Sequence, residues 1–209
     1  MKRKVLSILL AAALVIGCCP ALCFSTFAEG ATVQYNSWVG TVQITSDNAS
    51  DVLGDGTVSY TPASGDECAV LTLNNANITA SRKTSFSGYS ITAVLDVQEP
   101  LKLVLTGSNY IGYRSSSIQE SDFAGILSGN NDLEICGSGS LEIYAPESEK
   151  KNGLSSGIYC SAYYNSVSAG KGALTVSGGA SVTINVVGGS KYSYGVFVGT
   201  FTLRDSASL

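Results

Sequence analysis

Apolar and polar positions alternate in five short segments of the chain: Leu71-Thr72-Leu73-Asn74-Asn75, Leu103-Val104-Leu105-Thr106-Gly107, Leu133-Glu134-Ile135-Cys136-Gly137, Leu174-Thr175-Val176-Ser177-Gly178 and Phe201-Thr202-Leu203-Arg204-Asp205. The first and third positions are always large and apolar, while the second varies among Thr, Val and Glu. That period of two predicts a short strand with one buried face. The fifth position is Asn75, Gly107, Gly137, Gly178 or Asp205, all residue types that tolerate a left-handed backbone. Gly, Asn and Asp fill about one position in five of the chain, so five matches out of five mark a corner. A second strand follows, as in Ser140-Leu141-Glu142-Ile143 and Ser181-Val182-Thr183-Ile184. A third closes each unit: Tyr89-Ser90-Ile91, Gly125-Ile126-Leu127-Ser128-Gly129, Gly157-Ile158-Tyr159-Cys160 and Gly195-Val196-Phe197-Val198-Gly199.

The template starts at 71, 103, 133, 174 and 201, giving spacings of 32, 30, 41 and 27 residues. Unequal spacing excludes a rigid short repeat and suits a solenoid that keeps its corners and inserts loops elsewhere. Strands this short gain stability by pairing with the units above and below. The expected fold is all-β: a right-handed parallel β-helix with three short strands per coil and a small N-terminal β cap. An immunoglobulin-like sandwich is the rival, but it does not require a left-handed corner at one offset in five successive units. Stacking the template places Val104 below Glu134 and Thr175 above it, with Glu142 beneath Thr183.

Residues 29–66 differ from the repeats. Trp38 to Thr45 and Thr57 to Tyr60 read as two strands across a turn-rich connection. A solenoid needs a cover over its first coil, and Trp38 is the candidate lid. The solenoid is expected over 67–209 and stops within a coil at Leu209, so either a partner covers that end or the text is the front of a longer protein.

Met1-Lys2-Arg3-Lys4 and the 13-residue stretch from Val5 to Gly17, apolar but for Ser7, form the n- and h-regions of an export signal, too short to span a bilayer comfortably. Thr26-Phe27-Ala28 predicts cleavage before Glu29, making 1–28 a signal peptide. Val15-Ile16-Gly17-Cys18 offers a second reading, a lipobox with Cys18 lipidated. The expected location is therefore secreted or cell-surface, with membrane attachment only through Cys18.

Cleavage removes Lys2, Arg3 and Lys4, taking 12 basic residues to nine against 16 acidic ones, a net charge of −7. Such a chain has no electrostatic footprint for nucleic acid. With no histidine at all, a Ser-His-Asp triad, a Cys-His dyad and imidazole zinc sites are excluded. Cys68, Cys136 and Cys160 remain in the mature chain. Three is odd, and they read best as small hydrophobes in strands, although a Cys136–Cys160 bridge is geometrically open.

Asp51-Val52-Leu53-Gly54-Asp55-Gly56 resembles the start of a calcium loop, but Leu53 and Pro62 stand where oxygen ligands belong, so a Gly-assisted turn is expected. Asp132 and Glu134 share a strand face without a carboxylate ladder. Glu120 and Asp122, and Lys150-Lys151 behind Glu147 and Glu149, read as solvated loops. No catalytic constellation, metal site or cofactor is expected.

Tyrosines are more informative. Tyr110 and Tyr113, Tyr163-Tyr164, and Tyr192 and Tyr194 are the candidate ligand-binding residues, the last four and Tyr113 being assigned to insertions outside the strands. A Tyr ring offers an apolar face and a hydroxyl, matching a sugar's C–H patches and hydroxyl edge. The alternative is that the rings pack loops onto the wall.

Tyr35-Asn36-Ser37-Trp38-Val39-Gly40, Val42-Gln43-Ile44-Thr45, Gly54-Asp55-Gly56-Thr57-Val58-Ser59-Tyr60 and Leu71 to Ala76 resemble the N-terminal segment of secreted proteins from anaerobic Firmicutes. The resemblance implies a repetitive right-handed β-helix like the non-catalytic polysaccharide-binding β-helices of that phylum. It covers most of the mature chain and rests on structural positions, so it implies fold and export but no individual site residue. The expected function is an exported, non-enzymatic module that binds polysaccharide or a cell-surface glycan, or acts in adhesion. A polysaccharide lyase with an Arg or Lys base and a purely structural surface spacer are the alternatives.

Overall fold

The computed structural model describes residues 31–113, 117–118, 121–160, 172–188 and 191–209. The expected signal segment with Cys18, and the pair Tyr163 and Tyr164, lie outside them. The described chain is all-β. β1 (Gln34–Val39) and β2 (Val42–Thr45) form a hairpin, and β3 (Val58–Thr61) follows. Repeating units then succeed one another. The first holds β4 (Ala69–Asn74), β5 (Asn77–Ile78), β6 (Arg82–Phe86) and β7 (Tyr89–Val97). The second holds β8 (Leu101–Thr106), β9 (Ser108–Gly112), β10 (Ser117–Ile118) and β11 (Asp122–Leu127). The third holds β12 (Leu133–Gly137), β13 (Ser140–Ala145), β14 (Glu147–Ser148) and β15 (Leu154–Cys160). The fourth holds β16 (Ala173–Val176), β17 (Ser181–Val186) and β18 (Tyr192–Val198), and β19 (Thr200–Leu203) begins another.

Each unit gives one strand to each of three sheets, always in the same order. The first-strand sheet runs β3-β4-β8-β12-β16-β19, the second-strand sheet β5-β9-β13-β17, and the third-strand sheet β2-β1-β7-β11-β15-β18. Pairing between successive units is parallel throughout. The corner that leaves the first-strand sheet is left-handed at all five expected positions, with φ between +53° at Asn75 and +108° at Gly137. Only residues that accept this conformation cheaply occur there.

One register differs from the template. Leu133 pairs with Leu101 rather than Leu103, so Glu134 lies between Lys102 and Thr175, not Val104 and Thr175. Lys102 Nζ stands 4.0 Å from Glu134 Oε2. Apolar alternation in β8 starts one period earlier than the template, at Leu101, and a slip of two residues keeps every side chain on its face. Hydrophobicity alone is blind to that slip. The same offset continues past the corner, where Ser140 pairs with Ser108, so that Gly139 rather than Gly137 lies over Gly107. Glu142 pairs with Thr183 as expected.

The core is a set of ladders. Leu71, Leu103, Ile135 and Val176 stack between paired strands and are buried, while Leu203, next in that ladder, is 48% exposed. Phe201 ends the neighbouring ladder at 44%. Burial at each level comes from the strand above it, and among the described residues nothing lies above β19. Asn109 occupies a buried apolar-ladder position beside Leu141. Its Oδ1 accepts the Ala76 N–H at 2.9 Å, and its Nδ2 donates to the carbonyls of Thr106 and Ser140, both at 3.1 Å. It thereby satisfies backbone groups of three successive units. Gly157 marks a close approach: a Cβ there would sit 2.2 Å from Ile184 Cγ2 and 2.8 Å from the Gly195 carbonyl oxygen.

The segment before the repeats closes two sheets at one end. β1 pairs antiparallel with β7, and β3 pairs antiparallel with β4. The single strand expected from Trp38 to Thr45 is broken, because Gly40 at φ +59° turns the chain between β1 and β2. Trp38 is not the lid: it stays half-buried, and Val39, Ile44, Val52, Val58 and Tyr60 fill the core there instead. Alternation along β1 puts Trp38 opposite to Val39, and the Arg82 guanidinium lies 3.8 Å over its ring. Glu99 accepts the hydroxyls of Ser37 at 2.9 Å and Tyr60 at 2.7 Å, tying β1 and β3 to the first unit.

Candidate functional site

The outer face of the third-strand sheet carries the most distinctive chemistry. Ladder pairing aligns Asp96, Leu127, Tyr159 and Phe197 across β7, β11, β15 and β18. A second ladder aligns Ile91, Asp122, Leu154 and Tyr192, with Ala93, Ala124, Ser156 and Tyr194 between them. Toward β18 these positions become aromatic. Tyr159 stacks on Phe197 with centroids 5.2 Å apart and planes 11° apart. Tyr194 tilts against Phe197 at 5.0 Å, and Tyr192 stacks nearly parallel to Tyr194 with centroids 6.5 Å apart. The cluster is an apolar layer separate from the main core, with Tyr192, Tyr194 and Phe197 half-buried at its rim.

The hairpin of β6 and β7 completes the face. Its turn, Ser87-Gly88, has positive φ at both residues, which suits the right-handed twist of the flanking strands. Phe86 meets Tyr159 edge-on at 6.4 Å. Between Phe86, Tyr89, Ile91, Leu154 and Tyr159 lies a mostly apolar recess, with the Asp122 carboxylate in its lining.

Asp122 corrects the expectation of a solvated loop. It opens β11 with its side chain 7% exposed, its Oδ2 accepting from Lys150 Nζ at 2.8 Å and its Oδ1 accepting the Leu154 N–H at 2.9 Å. Burial, then the charge of Asp122, pushes the Tyr159 phenol up to about 12, so it stays a neutral donor. Lys150 Nζ lies 5.9 Å from the Tyr89 ring centroid and Lys191 Nζ 5.1 Å from that of Tyr192. Aromatic rings in the centre and ammonium groups at the edge give a face able to stack on an apolar ring and to donate hydrogen bonds around it.

Of the expected tyrosines, Tyr192 and Tyr194 are brought together here, though inside β18 rather than in an insertion. Tyr110 lies in β9, on the second-strand sheet, between Asn77 and Glu142. Tyr113 follows that strand and packs against the main core. Tyr110 and Tyr113 therefore do not share the face of Tyr192 and Tyr194. Sequence reasoning missed Phe86, Asp122, Lys150, Tyr159 and Phe197. Tyr159 and Phe197 follow Ile158 and Val196 at matched places in successive third strands, and Ser87-Gly88 is a turn dipeptide; those signals were available.

Other candidate chemistry is already satisfied within the fold. Asp51 Oδ1 accepts the N–H groups of Gly54 and Gly56, both at 3.0 Å, and Asp55 accepts from Thr57, so the loop is the expected Gly-assisted turn. Asp132 Oδ1 accepts the Ala173 N–H, and Glu134 Oε1 the Ser177 hydroxyl, both at 2.8 Å. Among the described residues, no group of three or more Cys, Asp or Glu side chains is placed to hold a metal ion. Cys68, Cys136 and Cys160 are free thiols, respectively exposed, half-buried and buried. Cys160 fits the reading of a small hydrophobe in a strand; Cys68, exposed and outside β4, does not. No protein family, curated protein or solved structure matches the chain.

Proposed function

We propose that this chain is an exported, non-enzymatic right-handed parallel β-helix with a small N-terminal β cap, and that it binds polysaccharide or a cell-surface glycan. The binding surface is the outer face of the third-strand sheet. The observation that carries the reading is the aromatic cluster on β18, where Tyr192, Tyr194 and Phe197 lie half-buried on one side and are backed by buried Tyr159 of the neighbouring β15. The fixed strand order and the five left-handed corners support the β-helix, and the N-terminal signal supports export.

The test is retention of the folded protein on insoluble polysaccharides and on a glycan array, alongside Tyr194→Ala. Retention of the parent protein that the variant loses, with unchanged circular dichroism, supports the reading. A folded parent protein retained by no glycan overturns it.

A further inference from the structure

Resting on the glycan-binding reading, we infer that the recess beside the aromatic cluster takes the acetyl group of an N-acetylated amino sugar. The recess has room for one small group, about 20 Å³. That volume suffices for something the size of a water molecule or a methyl group and excludes a pyranose ring. Its walls are chiefly apolar, formed by Phe86, Tyr89, Ile91, Leu154 and Tyr159. A hydroxyl or hydroxymethyl group placed there would exchange water for hydrocarbon, at a cost its hydrogen bonds to the lining do not all recover. A methyl group is favoured in the same place.

The polar part of the recess narrows the choice further. The Asp122 carboxylate lines it, with Oδ1 already accepting the Leu154 N–H and Oδ2 accepting from Lys150. Each carboxylate oxygen has a second lone pair, so Asp122 retains the capacity to accept an amide N–H. Lys150 Nζ, 2.8 Å from Asp122 Oδ2, has two further protons and can donate to an amide carbonyl. A methyl cavity lined by one anionic acceptor, with a cationic donor beside that acceptor, matches the three parts of an acetamido group. An O-acetyl ester or an O-methyl ether presents a methyl group but no N–H, and leaves the further accepting capacity of the carboxylate unused. The aromatic rings of Tyr192, Tyr194 and Phe197 would then carry the sugar rings, and the recess would read the substituent.

Isothermal titration of the full chain with N-acetylglucosamine hexamer and with cellohexaose separates the two claims, since the backbones share the same linkage and differ at the substituent. The expected preference for the N-acetylated oligomer is roughly ten-fold, about 1.4 kcal/mol. Ile91→Phe, which fills the recess, should bring the two affinities to parity, whereas Tyr194→Ala should weaken both. Should Ile91→Phe misfold by circular dichroism, Asp122→Asn and Lys150→Met serve instead, each expected to reduce the preference. Saturation-transfer spectra should show the acetyl methyl as the most strongly contacted group of the ligand. Binding of both oligomers with equal affinity, or a preference that survives Ile91→Phe and both substitute variants, overturns the acetyl recess and leaves glycan binding standing. Failure to bind either oligomer while other polysaccharides are retained also overturns the recess. Failure on every glycan overturns the reading beneath it.

Discussion

Tyr159 and Phe197 stack face to face at 5.2 Å although they belong to different units of the chain. The contact exists because β15 and β18 pair in register, Tyr159 directly against Phe197. An aromatic pair held by sheet register is preorganised, since neither ring needs a flexible loop to place it.

Phe197→Ala should therefore weaken glycan binding by roughly ten-fold, as a stacking ring is lost and Tyr194 loses its neighbour at 5.0 Å. Tyr110→Ala, on the second-strand sheet, should leave the affinity unchanged within two-fold, on the order of the measurement. Titration of both variants against one polysaccharide checks the pair. Equal losses would place the site elsewhere.

How much of this was legible in the sequence depends on which property encodes it. Corners were legible because a left-handed φ restricts residue type locally, and Asn75, Gly107, Gly137, Gly178 and Asp205 obey that restriction. Register between β8 and β12 was not, because Leu101, Leu103 and Leu105 satisfy the same alternation at two offsets. The aromatic face was half legible. Tyr192 and Tyr194 stood out by type, but Phe86 joins them through a hairpin, and Tyr159 and Phe197 looked like core residues of a strand. Asp122 and Lys150 lie far apart in the chain, and only the turn of one unit upon the next brings them to 2.8 Å.

Arg82 joins the first repeat unit to the strands that precede it. Its Nη1 donates to Asp96 at 2.6 Å while the guanidinium covers Trp38. Asp96 is 1% exposed, so Arg82→Ala leaves a buried carboxylate with Gln98 as its remaining side-chain donor. The expected loss is about 3 kcal/mol, measured by urea denaturation. Arg82→Lys should recover part of it, because the charge returns without the planar fork. A change within about 0.5 kcal/mol for Arg82→Ala would show that the pair contributes no net stability.

Asn109 should be irreplaceable by its apolar neighbours in the ladder. Asn109→Leu matches Leu141 in type but leaves the Ala76 N–H without its acceptor and the Thr106 and Ser140 carbonyls without a side-chain donor. Each stranded buried group costs on the order of 1–3 kcal/mol, against the gain of a buried hydrocarbon side chain. Net destabilisation by denaturant titration is expected, with hydrogen exchange rising first at the Ala76 amide. A stabilised variant would show that water satisfies those groups.

A buried thiol contributes to the loss of stability at alkaline pH. Burial pushes the Cys160 thiol from 9.0 up to about 11, against which the hydrogen bond with Ser128 works only in part. Below pH 9 the thiol is protonated in both the folded and the unfolded chain. Between pH 9 and about 11 the unfolded chain releases a proton that the folded chain keeps, so unfolding gains free energy as the pH rises. Stability should be level with respect to this group below pH 9 and fall above it, by about 3 kcal/mol from Cys160 once the pH passes 11. Cys160→Ala removes that contribution, at the cost of a small cavity, and makes the profile shallower between pH 9 and 11, while the raised Tyr159 phenol keeps a residual slope above pH 10. The same burial makes Cys160 unreactive: a thiol reagent at pH 8 should modify exposed Cys68 first and reach Cys160 only when the protein unfolds. Modification of Cys160 at the rate of Cys68 in the folded protein, or a slope as steep in Cys160→Ala as in the parent protein, would mean that β15 does not shield its last residue.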